Sequence, residues 1–303
     1  MSRVQRLAEK GLIHPPKFLP SNVHYEVITG SEAYGISSGG SDIDVAGFCI
    51  PPKEDVFPHL RGEVLDFGTQ KKRFGVWQKH HVEDPESRKE YDFCIYSIVR
   101  FFHLCMENNP NMLDLLFTPQ RCVLHCTSIA SMVRERRHIF LSKKAWHTHK
   151  GYSYQQLHKM DIKNPKGKRK EVVDEWGYDL KFATHTVRLL LQVEQILAEH
   201  TVDLERNREV LKAVRRGEWG KGEEGMNRIR RFFQDKEVEL EKLYQSSDLR
   251  WSTDEEEIKT LLLECLEEHY GDLSSAVVSE KGVVNALRRI TDVVDQSRHL
   301  FGG

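Results

Sequence analysis

Long hydrophobic runs are missing from this chain. No apolar stretch approaches the roughly 18 residues that a membrane-spanning helix needs, and the N-terminal MSRVQRLAEKGLIHPP lacks the apolar core of a signal peptide. A cytoplasmic location is the default expectation. Cysteine is sparse: six in 303 residues with no Cys-x-x-Cys pair, which excludes a disulfide framework and a zinc ribbon. Cys122, His125 and Cys126 resemble part of a zinc site, but no second ligand pair accompanies them, so the cysteines read as small apolar fillers. An excess of one charge is absent too, with 45 Lys and Arg against 46 Asp and Glu. With 39% hydrophobic and 30% charged residues, the composition is that of a folded, water-soluble protein rather than a disordered one. At about 150 residues per domain, the length predicts two domains, each able to bury a core.

The balanced total hides an asymmetry. Arg134 to Lys170 carries a net +10 in 37 residues, and Trp251 to Asp272 a net −7. Such a dipolar layout suits a polyanion held on one side of the molecule. The basic window interleaves Arg134, Arg136, Arg137, Lys143, Lys144 and Lys150 with Phe140, Trp146, Tyr152 and Tyr154, offering charges for phosphates and rings for bases. It is the expected RNA contact, and the Lys163 to Lys170 loop is expected to join it. The competing reading is a solvated basic helix with its aromatics in the core.

Periodicity changes along the chain. Residues 22–29 and 42–50 alternate and are rich in β-branched and aromatic residues, so they read as strands; shorter strand candidates lie at 63–67, 74–78 and 90–94. Ile95, Ile98, Val99, Phe102 and Met106 then share a helical face, stopped by Asn108-Asn109-Pro110. Beyond Thr118 the pattern is helical, over about 127–140, 144–160, 172–200, 206–215, 223–245, 254–269 and 280–298. The expected fold is α+β: a mixed β-sheet with flanking helices over residues 1–120, followed by a helical domain over 121–303.

Chemistry concentrates in Gly30 to Asp44, GSEAYGISSGGSDID, which joins the first two strands. A period of two puts Asp42 and Asp44 on one face and turns Ile43 into the core. Carboxylates so placed repel each other unless a cation lies between them, and hard paired oxygens suit Mg²⁺, with Mn²⁺ as its substitute. Gly30-Ser31 follows a strand and opens a short helical turn, where backbone N–H groups and the Ser31 hydroxyl can donate to phosphate oxygens. A phosphate site beside a metal site is what nucleotidyl transfer needs, since two ions about 3.5 to 4 Å apart hold the attacking and leaving oxygens. A third carboxylate is required: Asp92 is the expected one, Glu90 on the same face is the runner-up, and Asp66 is a weaker third. The alternative role for Asp92 is a helix N-cap. Lys181, His185 and Arg188 share a helical face at i, i+4 and i+7, so Lys181 or Arg188 can clamp a triphosphate. His185 reads as a packed histidine rather than a catalytic base.

The spacing of Gly30-Ser31 and Asp42-Ile43-Asp44 resembles the G-S…D-x-D signature of the DNA polymerase β-like nucleotidyltransferase superfamily. The fuller run GSEAYGISSGGSDIDVAGFCIPP, with YDFCIYSIVRFFHLCMENNPNMLDLLF, is similar to its RNA repair pathway branch. Fainter likeness continues through Gly151 to Met160 and Lys181 to Leu190. The resemblance implies that Asp42 and Asp44 ligate two metal ions, that Asp92 ligates the catalytic one, and that Gly30 and Ser31 hold the β- and γ-phosphates of an NTP. It also implies a catalytic domain over 1–120 and a helical domain that helps to bind NTP and acceptor. The expected activity is transfer of a nucleoside monophosphate from an NTP to a hydroxyl, foremost an RNA 3′ end, with release of pyrophosphate. The rivals are nucleotidylation of a protein or small molecule, such as AMPylation, and a catalytically silent nucleotide- or RNA-binding module.

Overall fold

The computed structural model describes residues 1–37, 42–162, 167–273, 284 and 286–294. Its centre is a five-stranded mixed sheet of β1 (Val23–Ile28), β2 (Ile43–Cys49), β3 (Val76–Asp84), β4 (Lys89–Ser97) and β5 (Val123–Cys126), in the order β3-β4-β2-β1-β5. Strand β2 runs antiparallel to β1 and parallel to β4. The parallel pair sets the site, because its register puts Asp44 directly opposite Asp92.

Alternation along the strands builds two cores. Val45 and Cys49 of β2, with Tyr91, Phe93 and Ile95 of β4, face α1 (Arg3–Glu9) and the one-turn α2 (Leu19–Asn22). Ala46 and Phe48 turn to the opposite face, where the main core lies. Asp42 and Asp44 continue the Ala46 and Phe48 row beyond the covered part of the sheet, and Glu90 and Asp92 continue the Cys94 and Tyr96 row. Period two thus delivers every acidic candidate except Asp66 to the face that the helical half covers. Asp66 sits in the exposed turn joining Val64 to Phe67, where the expected third strand reduces to one isolated bridge.

After the one-turn α3 (Lys53–Val56), the helices are α4 (Ile98–Met106), α5 (Pro110–Leu116), α6 (Ser128–Glu135), α7 (Lys144–Ile162), α8 (Lys168–Trp176), α9 (Leu180–Glu199), α10 (Arg208–Arg215), α11 (Gly222–Ser246) and α12 (Glu255–Tyr270). Strand β4 persists to Ser97, whose side chain caps α4, so this helix begins later than its apolar face predicts. Asn109 stops that pattern and starts the next, capping α5 with Pro110 in its first turn.

The expected helix at 172–200 is two helices. Gly177 ends α8 at φ +81°, and a Cβ there would lie 2.8 Å from the Gly222 backbone; Asp179 then caps α9. Strand β5 lies just ahead of the helices expected from 127 onward, where the pattern predicts no element; it pairs with β1, so the sheet reaches beyond residue 120. The main core runs without a break from Tyr25 of β1 to Leu266 of α12. Helix α9 is its axis, with Leu189, Leu190, Val193, Ile196 and Leu197 almost fully buried. Part of the expected 280–298 helix and the Lys163 to Lys166 loop lie outside the described residues; 286–294 is helical.

Candidate active site

At the end of β1 the chain turns at Gly30, φ +67°, into residues 31–35, closed by hydrogen bonds from Gly35 N to Glu32 O and from Ile36 N to Ser31 O, both 2.9 Å. A Cβ on Gly30 would stand 2.9 Å from Asp44 Oδ2, so only glycine permits both the turn and this approach of backbone to carboxylate. A cavity of about 300 Å³ opens here. Gly30 and Ser31 border it with Asp42, Asp44 and Asp92, and Lys181, His185, Arg188 and Arg215 face them from α9 and α10. The structure therefore brings together all seven residues expected at the site, from four segments of the chain.

Electrostatics distinguish the carboxylates. Asp44 is held above the ordinary carboxylate range, chiefly because the cleft walls remove water from it; Asp92 and Asp42 reinforce the effect and Lys181 opposes it. Asp92 moves the other way. Desolvation pushes it up but is outweighed by the His81 N–H, which donates to Oδ1 at 2.8 Å, and by His80 Nδ1, 3.2 Å from Oδ2. Both histidines come from a bulge in β3, where the register slips between Lys79 and Val82 and His81 takes φ +54°. His81 Nδ1 also lies 2.5 Å from Glu90 Oε1, and Asp42, His81 and Glu90 present ligand atoms within 4.8 Å of one another. The runner-up Glu90 thus stands beside Asp42 and the first choice Asp92 beside Asp44.

The α9 stripe divides by role. Lys181 is exposed at the cavity, with no ion pair among the described residues. Arg188 is buried, and its Nη1 donates to Asp114 Oδ2 at 2.5 Å and to the Tyr34 hydroxyl, while Gln192 Nε2 donates to Asp114 Oδ1 at 2.6 Å. Arg188 Nε has no hydrogen-bond partner among the described residues. His185 is pulled down to about 3 by burial first and then by Arg188, Lys181 and Arg215, so its imidazole is neutral at any working pH. Sequence reasoning missed His80, His81 and Arg215. The adjacent polar histidines break the alternation of β3 and mark the bulge; Arg215 carried no local signal, because only the packing of α10 on α9 brings it to the cavity.

Three of the six cations named in the basic window are paired with the protein's own acids. Arg136 pairs with Glu264 at 2.7 Å, Lys144 with Glu107 at 2.7 Å and Lys150 with Glu237 at 2.6 Å. Phe140 and Trp146 are core residues, Arg134 donates to Thr118 O at 3.0 Å, and Tyr154 stacks in the open on His158. Cys122 is buried, and His125 Nε2 meets Val23 O at 3.2 Å, so neither faces a shared metal position with Cys126. No described helix is long and apolar enough to cross a membrane.

Among proteins of known sequence, this chain is 25% identical over 136 residues to an uncharacterized 38.9 kDa protein of the nrdC-mobD intergenic region of Enterobacteria phage T4, covering 44% of this chain and 37% of that relative. A crystal structure of a nucleotidyltransferase-like protein from Exiguobacterium sibiricum aligns with 80% of this chain and 73% of its own, at a TM-score of 0.29 and 8% identity. Residues 4–264, which hold the whole sheet and every site residue named above, match the RNA repair pathway DNA polymerase β family, RlaP. With the match extending over most of its length, the chain belongs to that family, while it spans little more than a third of the curated phage relative that it matches.

Proposed function

We propose that this nucleotidyltransferase moves a nucleoside monophosphate from an NTP to the 3′-hydroxyl of an RNA, releasing pyrophosphate, with divalent metal ions held by Asp42, Asp44 and Asp92. The observation that carries the reading is the parallel register of β2 and β4, which sets Asp44 against Asp92 with Asp42 two residues away, beside the Gly30-Ser31 turn. The donor set fits Mg²⁺ or Mn²⁺: all three contribute hard oxygens, and Asp44, raised first by loss of water and then by Asp92 and Asp42, has like charges beside it that a cation would offset. Two such ions supply a polarised attacking hydroxyl and charge neutralisation on the leaving pyrophosphate.

The protein's own part is placement. Gly30 and Ser31 offer backbone N–H groups and a hydroxyl to the β- and γ-phosphates, and Lys181 and Arg215 add positive charge from the opposite wall. Arg188, tied to Asp114 and Tyr34, braces that wall and adds long-range positive potential. A separate chamber of about 540 Å³ meets the cavity at Ser31, Asp42 and Asp44, and Arg88 and Lys89 border it. Both cations lack an ion pair among the described residues, which suits them to the phosphates of an RNA end better than the paired cations of the basic window.

The test supplies each α-labelled NTP with Mg²⁺ to RNA, to protein extract and to small metabolites. Label in RNA, lost in the Asp42→Ala/Asp44→Ala double variant, supports the reading. Label in protein or metabolites instead moves the acceptor to that pool and rejects RNA.

A further inference from the structure

A third cavity, about 360 Å³, lies beside the catalytic one and shares Gly30, His185 and Arg188 with it. Its lining differs in kind. No lysine borders it, and its one carboxylate, Asp114, is already bonded to Tyr34, Arg188 and Gln192. His185, at the wall between the two cavities, is neutral. Tyr96 and Tyr152 supply aromatic surface, and Tyr152 is held by a hydrogen bond from Asn109 Nδ2 at 2.9 Å. Two carboxamides reach the cavity, Asn111 from the first turn of α5 and Gln156 from α7, and neither side chain bonds to another described residue. Buried Arg188, whose Nε has no partner among the described residues, stands on the shared boundary.

We infer that this cavity seats the nucleoside of the incoming triphosphate and that Asn111 and Gln156 select adenine; the inference rests on the nucleotidyltransferase reading of the adjoining cavity. The volume lies within the usual range of small-molecule sites. A partly aromatic chamber whose Asp114 and Arg188 are already paired with each other suits a base, whereas the neighbouring one with Lys181 and Arg215 suits phosphates. A carboxamide places a donor beside an acceptor, matching the adjacent amino group and ring nitrogen of adenine. Guanine is read best by a free guanidinium or ammonium fork, and the one arginine here is bound to Asp114 and Tyr34. The flanking tyrosines give the larger purine face more surface to stack on than a pyrimidine offers.

Equilibrium dialysis of ATP, GTP, CTP and UTP, with Mg²⁺, against the full chain and its Asn111→Ala, Gln156→Leu and doubly substituted variants tests the assignment. The expected result is ATP bound about tenfold tighter than the other three, with each single substitution lowering that preference severalfold and the double variant nearly abolishing it. Both side chains lack internal bonds, so either substitution alone decides if the other misfolds. Equal binding of the four nucleotides, or an unchanged preference in the double variant, overturns the assignment. Label transfer measured beside binding separates the two readings. Selective ATP binding without any label transfer by the unsubstituted chain rejects the proposed reaction and leaves the adenine site standing, and label transfer without base preference does the reverse. Failure of every nucleotide to bind rejects both.

Discussion

Asp42, Asp44 and Asp92 differ little as single residues; their neighbours give them separate work. Asp44 meets Gly30 and the other carboxylates, and Asp92 is fastened by the His81 amide and His80. Asp92→Ala is expected to lower label transfer by at least about a hundredfold, a loss typical of removing a metal-holding group, while Glu90→Ala lowers it far less. The reverse order in steady-state rates assigns the third carboxylate to Glu90. Asp114 makes the opposite kind of prediction. It is the buried partner of Arg188, and Asp114→Ala leaves an uncompensated guanidinium, so stability falls by about 3 to 5 kcal/mol in a urea titration. A loss near zero shows that water reaches Arg188. The pair Asp42 and Asp44, the glycine before them and the Lys181 to Arg188 stripe were legible as a pattern, because strand and helix periods fix which residues share a face. That Arg188 is braced by Asp114 was not, since the two are 74 positions apart and only the packing of α9 against α5 joins them.

Elements are legible where one period dominates and lost where a tertiary contact overrides it. Strand β5 has four residues and no alternation of its own; it exists because β1 offers a free edge. The bulge of β3 and the break at Gly177 likewise depend on what lies opposite: Asp92 in one case, the Gly222 backbone in the other. Helix α7 carries a further consequence. His149 on this helix is fully buried, bonded through Nδ1 to Ala145 O at 2.8 Å, with no partner for Nε2 among the described residues, and burial pulls it down to about 3. Because the folded value lies below the ordinary 6.5, the unfolded chain binds the proton first. His149 therefore stabilises the fold fully above about pH 6.5 and progressively less as pH falls towards 3. His24, lowered to about 4 mainly by burial and then by His269, acts with the same sign. Melting temperature should fall on acidification from pH 7 to 5, and His149→Phe should flatten part of that slope; an unchanged slope means that His149 is not a source of it.

For the whole molecule, net charge near zero conceals cations of two kinds. Three of the six between Arg134 and Lys150 pair with Glu264, Glu107 and Glu237, so acids of α11 and α12 meet part of the basic window. The sequence showed both charge runs but not that part of one neutralises the other. Lys181, Arg215, Arg88 and Lys89 remain around the two chambers that meet at the aspartates. RNA affinity should accordingly fall with rising salt, and Arg88→Glu/Lys89→Glu should weaken binding about tenfold or more at low salt, against little change for Lys144→Ala/Lys150→Ala. The opposite ranking in a filter-binding assay places the RNA on the basic window.

A carboxylate-held metal centre acting on a hydroxyl is tested most directly by one comparison: transfer from an α-labelled NTP to an RNA ending in a 3′-hydroxyl and to the same RNA ending in a 3′-phosphate, with Mg²⁺ present or chelated. Such a centre predicts label on the hydroxyl-ended RNA alone, with Mg²⁺ alone, and none from the Asp42→Ala/Asp44→Ala chain. Equal labelling of both ends, or labelling that survives chelation and loss of the two aspartates, contradicts a carboxylate-held metal centre acting on a hydroxyl.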